Sequence, residues 1–137
     1  MQEDNMLNNL GLAHIGVFVK DLEVSKKFYC EKLDFAVIHE TTVEEADGTV
    51  KVAFVKAGDC TLELVQLPVQ TKRADGPVDH IAFKVKNIEE TAGNLRAKGI
   101  VYETEDITFK ANFFDKGAKW ILFRGPDNEH LEITEVL

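Results

Sequence analysis

Hydrophobic and polar positions over 13–23 and 79–89 repeat each other at an offset of 66 residues: Ala-His-Ile-Gly-Val-Phe-Val-Lys-Asp-Leu-Glu matches Asp-His-Ile-Ala-Phe-Lys-Val-Lys-Asn-Ile-Glu. Each copy predicts a short strand rich in Val, Ile and Phe, with a histidine near its start, that runs into Asp21 or Asn87. Both residue types suit a helix N-cap. After Asp21, Leu22, Phe28, Tyr29 and Leu33 recur at helical spacing with Lys26, Lys27, Glu31 and Lys32 between them, which predicts an amphipathic helix of about three turns. The matching helix spans 88–98, buries Ile88, Ala92 and Leu95, and stops at Gly99.

Strands follow both helices. In the first copy they are expected over 35–43, 50–55 and 61–66, with turns at Asp47-Gly48 and Gly58-Asp59. In the second they are expected over 100–103, 118–123 and 130–134, the last two joined by Gly125-Pro126-Asp127-Asn128. Residues 105–117 read as an irregular loop over a site. The architecture is therefore α+β: two tandem βαβββ modules, about 11–67 and 78–136, with a polar linker over about 68–77, in one domain spanning 1–137.

Composition narrows the function. At 137 residues, 45% hydrophobic and 29% charged, the chain fits one packed domain. A net charge of −8 opposes nucleic acid and anionic membrane surfaces as partners. The apolar runs are far shorter than the roughly 20 residues that cross a bilayer. Residues 1–9 carry acids and asparagines where an export signal needs basic residues and an apolar core, so a cytoplasmic location is expected. Cys30 and Cys60 then read as free thiols.

The candidate chemistry comes from polar residues inside strands. His14 and His80 occupy equivalent places in the first strands, and Glu63 (Thr-Leu-Glu-Leu) and Glu132 (His-Leu-Glu-Ile) in the last. Glutamate follows histidine by 49 residues in one module and 52 in the other. A lone histidine or glutamate on a strand is commonly structural or solvated; recurrence at matched positions points to a shared site. If the modules pair about a pseudo-twofold axis, the four meet as a metal site. Two imidazoles and two carboxylates suit Zn²⁺, Ni²⁺, Co²⁺, Mn²⁺ or Fe²⁺ without choosing among them.

These motifs, with Phe28-Tyr29, Val-Asp-His-Ile-Ala-Phe-Lys-Val at 78–85 and Gly-Pro-Asp-Asn-Glu-His-Leu-Glu-Ile at 125–133, resemble the vicinal oxygen chelate superfamily of glyoxalases, bleomycin-resistance proteins and extradiol dioxygenases. The resemblance implies a curved, partly closed mixed sheet with helices outside, and a homodimer. It also implies a divalent-metal-dependent lyase or isomerase like lactoylglutathione lyase, with His14, Glu63, His80 and Glu132 as ligands. Glu132 is then the first choice of base and Glu63 its partner, moving a proton on a small α-oxygenated carbonyl substrate through a metal-chelated enediolate. The positions that hold glutathione in the family carry Phe18 and Leu67 here, which argues against that substrate, and Val52 replaces the second acid of methylmalonyl-CoA epimerases. The alternatives within the resemblance are a non-catalytic small-molecule binding or resistance protein and a dioxygenase.

Substrate-binding candidates surround these four. His130 shares a strand face with Glu132. Trp120, Phe54 and Phe113 are candidate walls, and Phe113 is also a candidate lid. Lys119 and Arg124, with Lys110 and Lys116 nearby, are candidate contacts for an acidic group. His39 reads as structural or solvated.

Overall fold

A computed structural model describes residues 10–70, 75, 76 and 78–137. The elements run β1 (Ile15–Phe18), α1 (Leu22–Lys32), β2 (Ala36–Glu45), β3 (Gly48–Ala57), β4 (Cys60–Gln66), β5 (Ile81–Lys84), α2 (Ile88–Ala97), β6 (Thr108–Lys110), β7 (Ala118–Arg124) and β8 (His130–Val136). The βαβββ unit is thus present twice. Residues 1–9, where no export signal is expected, and part of the linker, 71–74 and 77, lie outside the described residues. No helix among the described residues is long and apolar enough to cross a membrane.

Each module folds its own four-stranded mixed sheet, ordered β1-β4-β3-β2 and β5-β8-β7-β6. The first strand of each runs parallel to the last, and the remaining pairs are antiparallel. No pairing among the described residues joins the two sheets. The partly closed single sheet expected above is therefore two open ones. Alternation along the strands decides their faces. Leu62, Leu64, Leu131 and Ile133 are buried beneath the helices, whereas Glu63, Glu132, His130 and Thr134 stand on the opposite, open faces. One apolar cluster containing Leu22, Tyr29, Ile88, Leu95, Ile121 and Phe123 runs through both modules.

Two expectations require correction. Residues 100–103 do not form a strand; Tyr102 makes one antiparallel bridge to Phe123, and the edge strand is β6, inside the segment read as an irregular loop. Phe109 of β6 packs its ring over Gly117, where a Cβ would come within 2.8 Å of the ring and where φ is +98°. A strand of three residues is too short to leave a periodic trace in the sequence. The caps also differ. Asp21 accepts from the Glu23 and Val24 N–H groups, but Asn87 is left-handed (φ 51°) and makes no side-chain cap.

The first N–H of each helix is instead bound by a side chain from the last strand of its module. Leu22 N donates to Gln66 Oε1 at 2.7 Å and Ile88 N to Glu135 Oε1 at 3.0 Å, acceptors 44 and 47 residues downstream. Helix start and sheet end are thereby locked together in both copies, and the three-residue difference between modules reappears. For α2 the carboxylate also meets the positive helix end. Glu135→Ala is expected to cost about 0.5–2 kcal/mol, the usual range for a lost cap, and Glu135→Gln to cost less because an acceptor remains. Urea unfolding of the three proteins measures it.

Candidate metal centre

Both histidines lie one residue ahead of their strands, and parallel register sets each glutamate beside a small residue: Gly16 opposite Glu63 and Ala82 opposite Glu132. The small neighbour leaves the carboxylate reachable; a Cβ on Gly16 would sit 3.8 Å from Glu63 Oε1. His14 Nε2 then stands 3.5 Å from Glu63 Oε1, and His80 Nε2 stands 3.7 Å from Glu132 Oε1. These separations are long for hydrogen bonds. They are close to the roughly 3–3.5 Å between nitrogen and oxygen ligands that share one ion at about 2.0–2.2 Å. The donor set and spacing therefore fit a divalent cation at either pair.

The fold brings the four residues together as two pairs, one per sheet. Among the described residues they do not converge as one group: the acids and histidine whose ligand atoms all lie within 4.8 Å of one another are Asp75, Asp79 and His130. Asp79 joins this second cluster to His80. Asp79 Oδ2 is 3.0 Å from His80 Nδ1, which leaves Nε2 facing Glu132. That hydrogen bond holds the Asp79 carboxyl below its ordinary range. His130 Nε2 reaches Glu103 at 3.1 Å, while its Nδ1 is buried, 3.3 Å from Asp79 Oδ2, without hydrogen-bond geometry. Burial lifts the Glu132 carboxyl above the ordinary range, opposed by His80 and His130. Glu132 is the more enclosed of the two glutamates, its side chain 13% exposed against 29% for Glu63.

The other candidates divide by strand face. Phe54 pairs in register with Glu63 and meets His14 edge-on at 5.4 Å. His39, read as structural or solvated, pairs with Phe54 from β2 and lies 6.1 Å from it, so it extends the same row. A bulge at Ile38 sets that register, and the bulge is not legible locally. In module two, Trp120 and His130 share the face of Glu132, and Phe113 lies against Trp120 at 5.0 Å. Lys119 lies on the other side, where Nζ binds Glu89 of α2 at 2.8 Å. Arg124 is engaged by Asp75 through two contacts, at 2.8 and 3.0 Å, and by Glu103 at 2.9 Å. No repeat or motif marks Asp75 or Glu103 in the sequence, and the signal for Asp79 is its place directly before His80.

A doubled βαβββ unit with a His–Glu pair on each open sheet face defines a class of protein. Residues 11–133 match the Glyoxalase/Bleomycin resistance protein/Dioxygenase superfamily, and the chain belongs to it. It is 35% identical over 128 residues to the uncharacterized protein YwkD of Bacillus subtilis (strain 168), covering 90% of this chain and 95% of that one. A lactoylglutathione lyase of Schizosaccharomyces pombe (strain 972) is 30% identical over 148 positions, 90% of this chain and 46% of the lyase. The crystal structure of the glyoxalase family protein from Enterococcus faecalis superposes with a TM-score of 0.73 at 28% identity, over 92% of this chain and 98% of that one.

Proposed function

We propose that the protein is a divalent-metal-dependent lyase or isomerase that moves a proton between adjacent carbons of a small α-oxygenated carbonyl compound, without glutathione. The observation that carries this reading is the duplicated His–Glu pair at ligand spacing. His14, Glu63, His80 and Glu132 would hold the ion, His14 and Glu63 from one copy and His80 and Glu132 from a second. This assembly is supported by the failure of the four to converge within one chain and by exposed apolar residues, Phe18 and Val43 on the first open sheet face and Phe113 in the loop against Trp120 of the second. A bound divalent ion supplies Lewis-acid stabilisation of the negative charge that develops on a carbonyl oxygen.

The remaining chemistry belongs to the side chains. Glu132, the more enclosed carboxylate, accepts the proton from the carbon beside the carbonyl and, as the acid so formed, returns it to the neighbouring carbon, with Glu63 of the facing pair as its symmetric partner. Asp79 fixes the His80 tautomer, and Glu103 orients His130 against the same face. Trp120, Phe113 and Phe54 wall the apolar part of the substrate. Phe18 supplies no charge for a glutathione carboxylate.

A second reading, a sequestering protein, is favoured by the Phe113–Trp120 pair, an aromatic surface beside Glu132. Elemental analysis of untagged, chelator-free protein separates the two. About one divalent ion per chain is expected, lost in His80→Ala and in Glu132→Ala. Asp79→Asn is expected to weaken affinity by about 10–100-fold, the usual cost of removing a carboxylate that orients a ligating histidine. Wild-type protein that takes up no Ni²⁺, Zn²⁺, Co²⁺ or Mn²⁺ overturns the enzyme reading and leaves sequestration.

A further inference from the structure

Between the two modules lies a cavity of about 610 Å³, large enough for a drug-sized molecule. One wall is the end of α1 with the β3–β4 turn; the other is β5, α2 and Ile133. None of His14, Glu63, His80 or Glu132 lines it. Its apolar surface comes from Phe35, Phe83, Leu95 and Ile133, the two phenylalanines meeting edge-on at 5.7 Å across the module boundary. Three lysines, Lys32, Lys84 and Lys86, stand around it in a chain of net charge −8. Among the described residues neither Lys84 nor Lys86 forms an ion pair, and Lys32 lies over the Phe28 ring at 5.8 Å. Of the two acids at the rim, Asp34 is 91% exposed and lies 4.0 Å from Lys98, which leaves Asp59 as the acid opposing three ammonium groups.

An apolar space ringed by cations that pair with no acid among the described residues favours a ligand with an apolar body and a single anionic head. The body displaces water from the aromatic surface, and the head gains charge-assisted hydrogen bonds from the lysines. A neutral apolar ligand forgoes the second contribution, and a small inorganic anion forgoes the first. We infer that this inter-module cavity is a binding site for an amphipathic organic anion, a medium-chain or aromatic carboxylate or sulfonate, separate from the candidate metal centre.

The test is a fluorescence titration of the full chain with 8-anilinonaphthalene-1-sulfonate, followed by displacement with octanoate and with 1-octanol. The variants are Lys84→Gln/Lys86→Gln and, as a control on the open sheet face, Glu132→Ala; circular dichroism verifies that each is folded. Saturable single-site binding, displaced by octanoate more readily than by octanol and weakened at least about tenfold in the double lysine variant but not in Glu132→Ala, supports the site. Three results overturn it: no saturable binding, binding indifferent to the lysines, or binding lost in Glu132→Ala. Sedimentation of the same samples addresses the remaining occupant. A dimer that the lysine substitutions dissociate, with no probe bound, assigns the cavity to a second copy and also overturns the proposal. Because neither the probe nor the lysines involve a metal, failure here leaves the reading of the His–Glu pairs intact.

Discussion

Two chains that hold no metal alone are expected to recover it when co-expressed. One carries His14→Ala and Glu63→Ala, the other His80→Ala and Glu132→Ala. Each His–Glu pair is confined to one sheet, and the pairs do not meet within the chain, so under the proposed function a four-ligand centre takes one pair from each of two copies. In a twofold dimer the two centres are equivalent, each built from the first module of one chain and the second module of its partner. A mixed dimer then holds one centre with all four substitutions and one with none. Random pairing makes about half the dimers mixed, so about one quarter of the wild-type metal should return. Native mass measurement confirms that mixed dimers exist, and elemental analysis reads the metal. Mixed dimers without metal would place the centre within one chain or remove it.

The ligand candidates were legible because two regularities coincide in them. Alternation with period two assigns Glu63 and Glu132 to the face opposite Leu62–Leu64 and Leu131–Ile133, and duplication ties each to a histidine at the same offset. What escaped was set by contacts with no local signature. Gln66 and Glu135 cap helices that begin 44 and 47 residues earlier, and nothing near either residue marks it as a cap. Asn87 had the composition of a cap, but its left-handed backbone turns the side chain away from that role while Glu135 fills it. Lys119 looked available to a substrate because charge alone does not give the strand face; its register opposite Glu135 puts it under α2, against Glu89. The sequence showed Arg124 as a cation near the site and left out that Asp75 and Glu103 already bind it.

The joint between the modules should be the most sensitive part of the fold. Tyr29 of α1 is fully buried and donates its hydroxyl to Glu129 Oε2 at 2.9 Å, across to the β7–β8 turn. Glu129 Oε1 accepts from Asp127 N within that turn, and Asp127 returns to module one through Lys20 N and Ser25 Oγ. Tyr29→Ala removes both ring and hydroxyl and is expected to cost about 3–5 kcal/mol. Tyr29→Phe keeps the ring but strands a carboxylate oxygen, at about 1.5–3 kcal/mol. The pair also predicts a pH dependence. Burial lifts the Glu129 carboxyl above its ordinary value of 4.5, against the hydrogen bonds that favour the charged form. The folded state therefore prefers the protonated acid: this contribution is complete below 4.5 and is lost as pH rises through the raised folded value. Glu129→Gln gives up one acceptor but cannot ionise, so its stability relative to wild type should improve as pH climbs from 4.5 through the raised folded value and level off above it. Urea unfolding of both proteins across that range reads the difference directly; parallel stability curves would show that Glu129 is ionised at no cost in the folded protein.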